Sequence, residues 1–389
     1  MPGRSFHAEG PANGRRLPAD ETRTTREKQG DAQNKGETAM QKVRIGLIGL
    51  GFMGTTHFRI YKNLPDAEVV ALADVDPLKR KGDVRSVSGN IGAGDNSVPL
   101  DLSGIRVYED ALEMICSGGL DMVDICVPTP FHKAYILAAL SAGLHTFSEK
   151  PLCRNRGEML EIADAVKKSG RFFNVGLCIR AWPEYRWTLE RFRSGEFGKV
   201  LSAGLRRISP SVAGTSWNDW FMKEEMSGGA LLDMHMHDTD AVRCFFGRPL
   251  AVTSFGARGL VSDSGIDRIL TSYSFPDGSL ITAEGNWGMA RTVPFEMSFQ
   301  MIFEKATVCF EGSGLKIYWN DGRTESSSPA DPAFPTGWHC ELAYFVECVK
   351  RGIQPDRYQN LQEILDSFCI VLAEEESVKT GKTVEVKYV

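Results

Sequence analysis

Lys150 and a cluster near position 235 hold the residues of this sequence that are best suited to move protons. The stretch GGALLDMHMHDTD runs from Gly228 to Asp240 and places two histidines and three aspartates between Asp233 and Asp240. Histidine and carboxylate side chains bind metals, exchange protons near neutrality, or lie at a charged helix start without any chemistry. The elements around the cluster must decide among these three interpretations.

A helix beginning near Gly228 would place Asp233 and His237 four residues apart on one face, with Asp240 adjacent and His235 pointing elsewhere. Asp233 could then hold the His237 imidazole in one tautomer, leaving its other nitrogen to take a hydroxyl proton. A metal site would instead require both histidines to converge, as on a strand, together with further ligands. The other histidines offer no paired spacing, so we expect no metal, and a purely structural His237 stays open.

The second candidate is Lys150 in SEKPL, which follows a short apolar run. Pro151 forces the preceding lysine into an extended backbone, so a helix cannot carry its side chain away. Lys150 fixed beside a cationic ligand would have a lowered pKa and could exchange protons near neutrality, and Glu149 would lie at the same ligand edge. The alternative is a surface lysine in a turn that ends the strand.

A glycine-rich turn provides the sequence evidence for a dinucleotide. Gly49, Gly51 and Gly54 form G-x-G-x-x-G, with Phe52 and Met53 between the last two glycines. An apolar strand precedes the turn and a helical stretch follows it, so oriented N–H groups would meet a pyrophosphate. A merely tight turn would not require this strand, helix and following acid together. We therefore predict cofactor binding at this turn.

The following strands predict which dinucleotide binds and where its nicotinamide lies. Asp74 ends the next strand, where a carboxylate accepts ribose hydroxyls and repels a 2′-phosphate, which favours NAD. Lys79 and Arg80 keep NADP possible, unless they only form a solvated helix face. In VPTPFH, Pro128, Thr129 and His132 could contact the nicotinamide half, or the prolines could simply end a strand before a helix.

These sites imply an α/β region followed by an α+β region. Apolar strands alternate with helices in the first part, which predicts a parallel Rossmann sheet covered on both faces. Later strands follow one another without helices, which predicts a largely antiparallel sheet with flanking helices. We expect a disordered tail at 1–39, a dinucleotide-binding domain at 40–170 and a second domain at 171–389. An insertion loop runs from Ser86 to Gly104, and the C-terminal helices could pack back on the first domain.

The composition narrows the class of protein. The 389 residues are 42% hydrophobic and 24% charged, with a net charge of -5 and without a long apolar span, so we expect neither a membrane nor a nucleic-acid partner. The 9 cysteines are scattered singly, which is typical of reduced thiols in the cytoplasm. The twin arginine of the tail lacks a following apolar region, so we predict no export signal.

The motifs GLIGLGFMG, SEKPL, VGLCIRAWPEYR and GGALLDMHMHDTD together resemble the Gfo/Idh/MocA family, which includes glucose-fructose oxidoreductase and inositol dehydrogenase relatives. The resemblance runs from about Met40 to the C-terminus. It implies that Lys150, Asp233 and His237 occupy the catalytic positions, that substrate binds at the second sheet, and that this sheet builds homodimers or homotetramers. Met234, His235 and Met236 are bulky where relatives often carry a small residue, which bears on pocket size.

The resemblance also suggests substrate contacts. Arg180 could bind substrate oxygens or the cofactor, or form a salt bridge between domains. Trp182 and Trp220 are candidate platforms for the apolar face of a sugar ring, as are Trp217 and Trp287, although aromatic residues are more often core.

We predict an NAD-dependent oxidoreductase, with NADP possible, that moves hydride between the nicotinamide and a secondary carbon of a sugar, polyol or inositol. Lys150 and His237 would share the proton transfer, and Asp233 would orient. Two alternatives remain: an NAD-dependent, redox-neutral glycosidase, and a sensor that binds dinucleotide or sugar without chemistry.

Overall fold

A computed structural model describes residues 42–89 and 96–389, so the predicted tail and the centre of the insertion loop lie outside the described residues. The first part forms a six-stranded sheet in which every pair is parallel. Its strands are β1 (Val43–Ile48), β2 (Ala67–Ala73), β3 (Arg106–Tyr108), β4 (Met122–Ile125), β5 (His145–Ser148) and β6 (Phe173–Val175). The spatial order is β3-β2-β1-β4-β5-β6, so the order reverses between β1 and β4, where parallel sheets bind ligands.

Helices cover both faces of this sheet, which explains why β1 and β4 are largely apolar, with Arg44 and Asp124 as their charged residues. One face packs against the first and eighth helices, and the other packs against the second, third, fourth and ninth. The helices are α1 (Phe52–Asn63), α2 (Ala111–Cys116), α3 (His132–Ser141), α4 (Arg156–Ser169), α5 (Pro183–Arg193), α6 (Glu224–Ser227), α7 (Met236–Phe246), α8 (Gly337–Arg351) and α9 (Leu361–Thr380). Shorter 3-10 segments cover Lys79–Lys81, Thr129–Phe131, Cys178–Ala181 and Trp217–Met222, and a π-helical turn covers Leu231–His235.

The second sheet has nine strands, and among the described residues only the pair β7–β10 is parallel. Its strands are β7 (Val200–Pro210), β8 (Ala251–Arg258), β9 (Ile266–Ser274), β10 (Leu280–Met289), β11 (Glu296–Phe303), β12 (Ala306–Glu311), β13 (Gly314–Trp319), β14 (Thr324–Ser327) and β15 (Val384–Glu385). They lie in the order β14-β13-β12-β11-β7-β10-β9-β8-β15. One face packs on α5, α7 and α9, and the opposite face exposes Phe255 and Leu270.

Three features differ from the sequence predictions. The domain predicted to begin at 171 opens with the run RFFNV, which instead forms β6 and pairs with β5 of the first sheet, because an apolar run does not reveal which sheet edge it joins. The edge strands β13, β14 and β15 were not predicted. The helix expected from Gly228 begins instead as the π-helical turn at Leu231 and continues as α7, after α6 has ended at Ser227. None of the described helices is long and apolar enough to cross a membrane.

Candidate functional site

The glycine turn between β1 and α1 has the geometry of a pyrophosphate cradle. Gly49 adopts φ +90°, which favours glycine, and a Cβ on Gly54 would lie 1.9 Å from the Gly49 carbonyl oxygen. A Cβ on Gly51 would meet nothing within 4 Å, so this position faces open space. The first helical bond runs from the Thr55 N–H to the Gly51 carbonyl at 2.9 Å. The N–H groups at the start of α1 therefore lack helical partners and fit an anionic ligand.

Asp74, at the end of β2, lies directly beside this turn. Its Oδ2 accepts the Leu50 N–H at 2.6 Å and its Oδ1 accepts the Asp76 N–H at 2.8 Å. Arg80 donates to the Asp74 carbonyl at 2.8 Å and to Glu109 at 2.9 Å. These contacts place the predicted ribose acceptor next to the cradle and already occupy the arginine that could have held a 2′-phosphate.

The end of β4 carries Pro128 and the buried Thr129 into a 3-10 turn at the same sheet edge. His132 does not present a free ring there. Its Nδ1 lies 2.8 Å from the Pro151 carbonyl and its Nε2 lies 2.8 Å from the Val127 carbonyl. Burial lowers the pKa of His132. The prediction that His132 contacts the cofactor is wrong, because its imidazole instead ties together the backbones that follow β4 and β5.

Glu149 is also turned inward, so its side chain does not lie where we predicted a cofactor contact. Its Oε1 lies 3.3 Å from Nε2 of His57, and Nδ1 of His57 lies 2.8 Å from Asp124. Burial opposes charge on this ring, but Cys126 and Asp124 outweigh burial and raise the pKa of His57 well above its usual value. We did not single out His57 from the sequence, although its spacing of three residues from Gly54 places both on one face of α1.

Lys150, beyond the end of β5, meets Asp233 across the cleft between the two sheets. The Lys150 Nζ donates to Oδ1 of Asp233 at 2.9 Å and to the Asp233 backbone carbonyl at 2.6 Å. Both side chains are largely buried, at 13% and 21% exposure. The predicted pairing of Asp233 with His237 is therefore wrong, because the carboxylate bonds a cation in preference to a neutral ring.

His237 is adjacent to this ion pair but is not held by it. Its Nδ1 is buried and has no hydrogen-bond partner among the described residues. Burial, the Lys150 ammonium and the Arg207 guanidinium lower the pKa of His237 well below its usual value. His237 is therefore a neutral imidazole at neutral pH, which is the form that accepts a proton. The Arg207 contribution was not foreseen, because Arg207 lies on β7.

Arg180 is a buried structural residue, so the prediction that it binds substrate is wrong. Its side chain is 1% exposed and makes two bonds of 2.8 Å to the carboxylate of Asp240. A third nitrogen lies 3.2 Å from the Tyr358 carbonyl and 3.4 Å from Glu363. Asp240, expected beside Asp233 and His237, is likewise occupied by this pair.

The tryptophans divide between core and surface. Trp182 is 9% exposed and packs edge-on against Trp338, so it belongs to the core and was wrongly predicted to bind substrate. Trp287 is also buried, at 1% exposure, whereas Trp217 is 48% exposed. Trp220 is half-buried and stacks on Phe221 with ring centres 4.1 Å apart. Of the four candidate platforms, Trp182 and Trp287 therefore lie in the core, whereas Trp217 and Trp220 are accessible.

The two histidines of the opening cluster do not converge. His235 is fully buried against Glu374, whereas His237 lies beside Lys150. Within the described ranges, His57, Asp124 and Cys126 bring atoms of ligand type within 4.8 Å of one another. The same atoms are hydrogen-bonded to each other and to the Tyr61 hydroxyl.

Comparisons with known proteins agree with this architecture. Residues 43–177 match a family described as an oxidoreductase family with an NAD-binding Rossmann fold, and residues 185–309 match the GFO/IDH/MocA C-terminal domain. The scyllo-inositol 2-dehydrogenase (NAD(+)) of Bacillus subtilis is 28% identical over 81% of this chain and 88% of its own length. The inositol 2-dehydrogenase of Acidothermus cellulolyticus is 33% identical, but the match spans 53% of this chain and 54% of that protein.

Solved structures share the fold. A levoglucosan dehydrogenase in complex with NADH superposes with a TM-score of 0.76 at 21% identity, covering 90% of this chain and all of that one (100%). The myo-inositol 2-dehydrogenase from Lactobacillus plantarum has a TM-score of 0.73 at 23% identity, with 89% and 100% covered. The predicted Rossmann sheet and largely antiparallel second sheet are thereby confirmed. The chain belongs to the GFO/IDH/MocA family of NAD-binding oxidoreductases.

Proposed function

We propose that this protein is an NAD-dependent dehydrogenase that oxidises a secondary CH–OH carbon of an inositol or a related cyclic sugar. The observation that carries the proposal is the Lys150–Asp233 ion pair beside a neutral His237 with an unpartnered Nδ1. The inositol dehydrogenases among the relatives support the choice of substrate class. We also propose that residues 40–170 form the dinucleotide-binding domain and residues 171–389 the substrate-binding domain.

Lys150, Asp233 and His237 have separate roles in the proposed proton transfer. Bound NAD would supply the hydride acceptor, held by the N–H groups of α1 and by Asp74. The Lys150 Nζ donates a hydrogen bond to the substrate oxygen, and Asp233 holds that nitrogen in place from the opposite side. The neutral imidazole of His237 takes the hydroxyl proton as the carbon is oxidised. The cations Lys150 and Arg207 both disfavour the protonated ring, so the proton must pass from His237 to solvent before the next cycle.

Trp220 is our proposed contact for the apolar face of the ring. The adjoining Met222 belongs to the same apolar cluster as Met234, the neighbour of Asp233. This packing places the Trp220–Phe221 stack on the segment that borders the acid/base residues. An aromatic face beside polar groups is a usual arrangement for binding a polyol ring.

The test is the absorbance of reduced nicotinamide when purified protein receives NAD with inositol isomers, monosaccharides or glycosides. We expect one polyol to give NADH, and Lys150→Met to abolish the signal. Lys133→Met is the matched control, because Lys133 pairs with Glu161 on the helical face, away from the cleft, and should leave turnover unchanged. Cleavage of a glycoside without NADH would replace the proposal with a redox-neutral glycosidase. Tight NAD binding without turnover on any compound would replace it with a sensor.

We also propose that two or four copies assemble through the open face of the second sheet. Phe255 and Leu270 are cross-strand neighbours there, with 69% and 45% exposure. On the same face Leu280, at 62% exposure, is paired in register with Ser202. Large apolar side chains exposed on a sheet face are typical of an interface. Light scattering should give a dimer or tetramer, and Phe255→Asp should give monomers; a monomeric wild-type protein would contradict the assembly.

A further inference from the structure

The backbone that carries Asp233 and His237 has an unusual form. Residues Leu231–His235 make a π-helical turn, in which the Met236 N–H bonds the Leu231 carbonyl. Such turns are rare and are frequent at functional sites. In this wider turn the Asp233 carbonyl oxygen accepts a hydrogen bond from the Lys150 Nζ, at 2.6 Å. The geometry of the turn is therefore part of the contact with Lys150.

A buried imidazole fastens this turn to the rest of the molecule. Nε2 of His235 lies 3.2 Å from Oε1 of Glu374 on α9, and both side chains are 0% exposed. Glu374 also accepts from the Tyr273 hydroxyl at 2.6 Å and from the Thr239 hydroxyl at 3.0 Å. The carboxylate thus joins the turn, α7, β9 and α9 in one hydrogen-bonded group. A charged group buried this completely persists only when its partners satisfy it.

Close packing leaves the His235 ring little freedom. A Cβ on Gly285 of β10 would lie 2.7 Å from the His235 Cβ and 3.0 Å from its Nδ1, so only glycine leaves room for the ring. Nδ1 is buried and has no partner among the described residues, so the ring is oriented by its Nε2, which lies 3.2 Å from Glu374 and 3.5 Å from the hydroxyls of Thr271 and Tyr273. His235 lies two residues from Asp233 and two from His237, on the opposite side of the chain.

We propose that His235 is a positioning residue: its hydrogen bond to Glu374 fixes the π-helical turn and thereby holds Asp233 against Lys150. The expected effect on turnover rests on the proposed function. The geometry of the Lys150–Asp233 pair does not, because it can be measured without turnover. Misplacing a catalytic group by about 1 Å can cost roughly 100-fold in rate, so a loosened turn should matter.

The first experiment measures how fast the Lys150 amine is acetylated in the NAD-free protein, by peptide mass spectrometry. His235→Leu removes the donor at similar volume and should raise the acetylation rate of Lys150 about 10-fold, since a freed amine reacts faster. His235→Gln can place an amide N–H near the position of Nε2 and should restore slow acetylation. If His235→Leu does not fold, Glu374→Gln replaces it in this measurement, because it weakens the same hydrogen bond while keeping the shape of the acceptor. Unchanged acetylation in both His235→Leu and Glu374→Gln overturns the proposal.

The second experiment separates positioning from general stability. Ser377→Ala is the matched control, because Ser377 also lies on α9 and bonds the Ser254 N–H without touching the turn. It should lower the unfolding midpoint without changing Lys150 acetylation or kcat. His235→Leu should lower kcat more than it changes the KM for NAD, and His235→Gln should recover kcat. If Lys150→Met keeps full turnover while acetylation still responds to His235, the proposed function fails and the positioning role stands; a fall in midpoint alone contradicts positioning.

Discussion

At the scale of single residues, His237 owes its neutral form to its surroundings. Burial is the largest cause of its lowered pKa, and the positive charges of Lys150 and Arg207 lower the pKa further. Lys150→Met removes one of these charges, so the pKa of His237 should rise while staying below its usual value, because burial and Arg207 remain. Histidine ring shifts followed by NMR against pH in NAD-free protein measure this directly. Lys133→Met should leave the titration unchanged, and an unchanged titration in Lys150→Met would place the lysine too far away to act.

Arg180 gives a second residue-scale prediction. Arg180→Leu leaves Asp240 buried without its main partner, so the free energy of unfolding should fall by about 3–5 kcal/mol. The double change Arg180→Leu with Asp240→Leu should recover much of this loss, because both charges are then removed. Urea unfolding measures both effects. Below the unfolding transition the substrate KM of Arg180→Leu should stay as in the wild type; a large rise in KM with little loss of stability would restore the original substrate-binding interpretation.

At the scale of elements, the turn between β1 and α1 predicts opposite consequences for two glycines. Gly51→Ala adds a methyl group where no protein atom lies within 4 Å, so stability should be unchanged while NAD binding weakens at least about 10-fold, because the methyl group occupies the pyrophosphate path. Gly54→Ala places a Cβ 1.9 Å from the Gly49 oxygen and should lower stability itself. Thermal unfolding without NAD and titration calorimetry with NAD separate the two. Full NAD affinity in Gly51→Ala would mean that the cofactor does not cross this turn.

At the scale of the whole molecule, the buried histidines predict how stability depends on pH. The raised pKa of His57 means that its contribution is complete below the unfolded value of about 6.5 and is lost as pH rises toward its folded pKa. The lowered pKa values of His237 and His132 act oppositely, so their contribution is complete above about 6.5 and is lost as pH falls. The free energy of unfolding should therefore be greatest near neutrality. Urea unfolding across pH should show the alkaline decline reduced in His57→Gln; an equal decline in that variant would contradict the charged His57.

The sequence by itself determined the glycine turn and the class of each sheet, because these depend on local spacing, whereas the roles predicted for Lys150, Asp233 and His237 follow from the family resemblance of their motifs. A glycine pattern, a strand and a following acid constrain one another within a short stretch of chain.

Only the tertiary structure decided which charged groups meet. Asp233 could face His237 by helical spacing, but a lysine 83 positions away in sequence reaches its carboxylate instead. Arg180 pairs with Asp240, His235 with Glu374 and Glu149 with His57 through contacts between distant elements. Periodicity reports which face a side chain occupies on its own element, whereas pairing depends on what that face packs against, and burial then favours the partner that satisfies the charge.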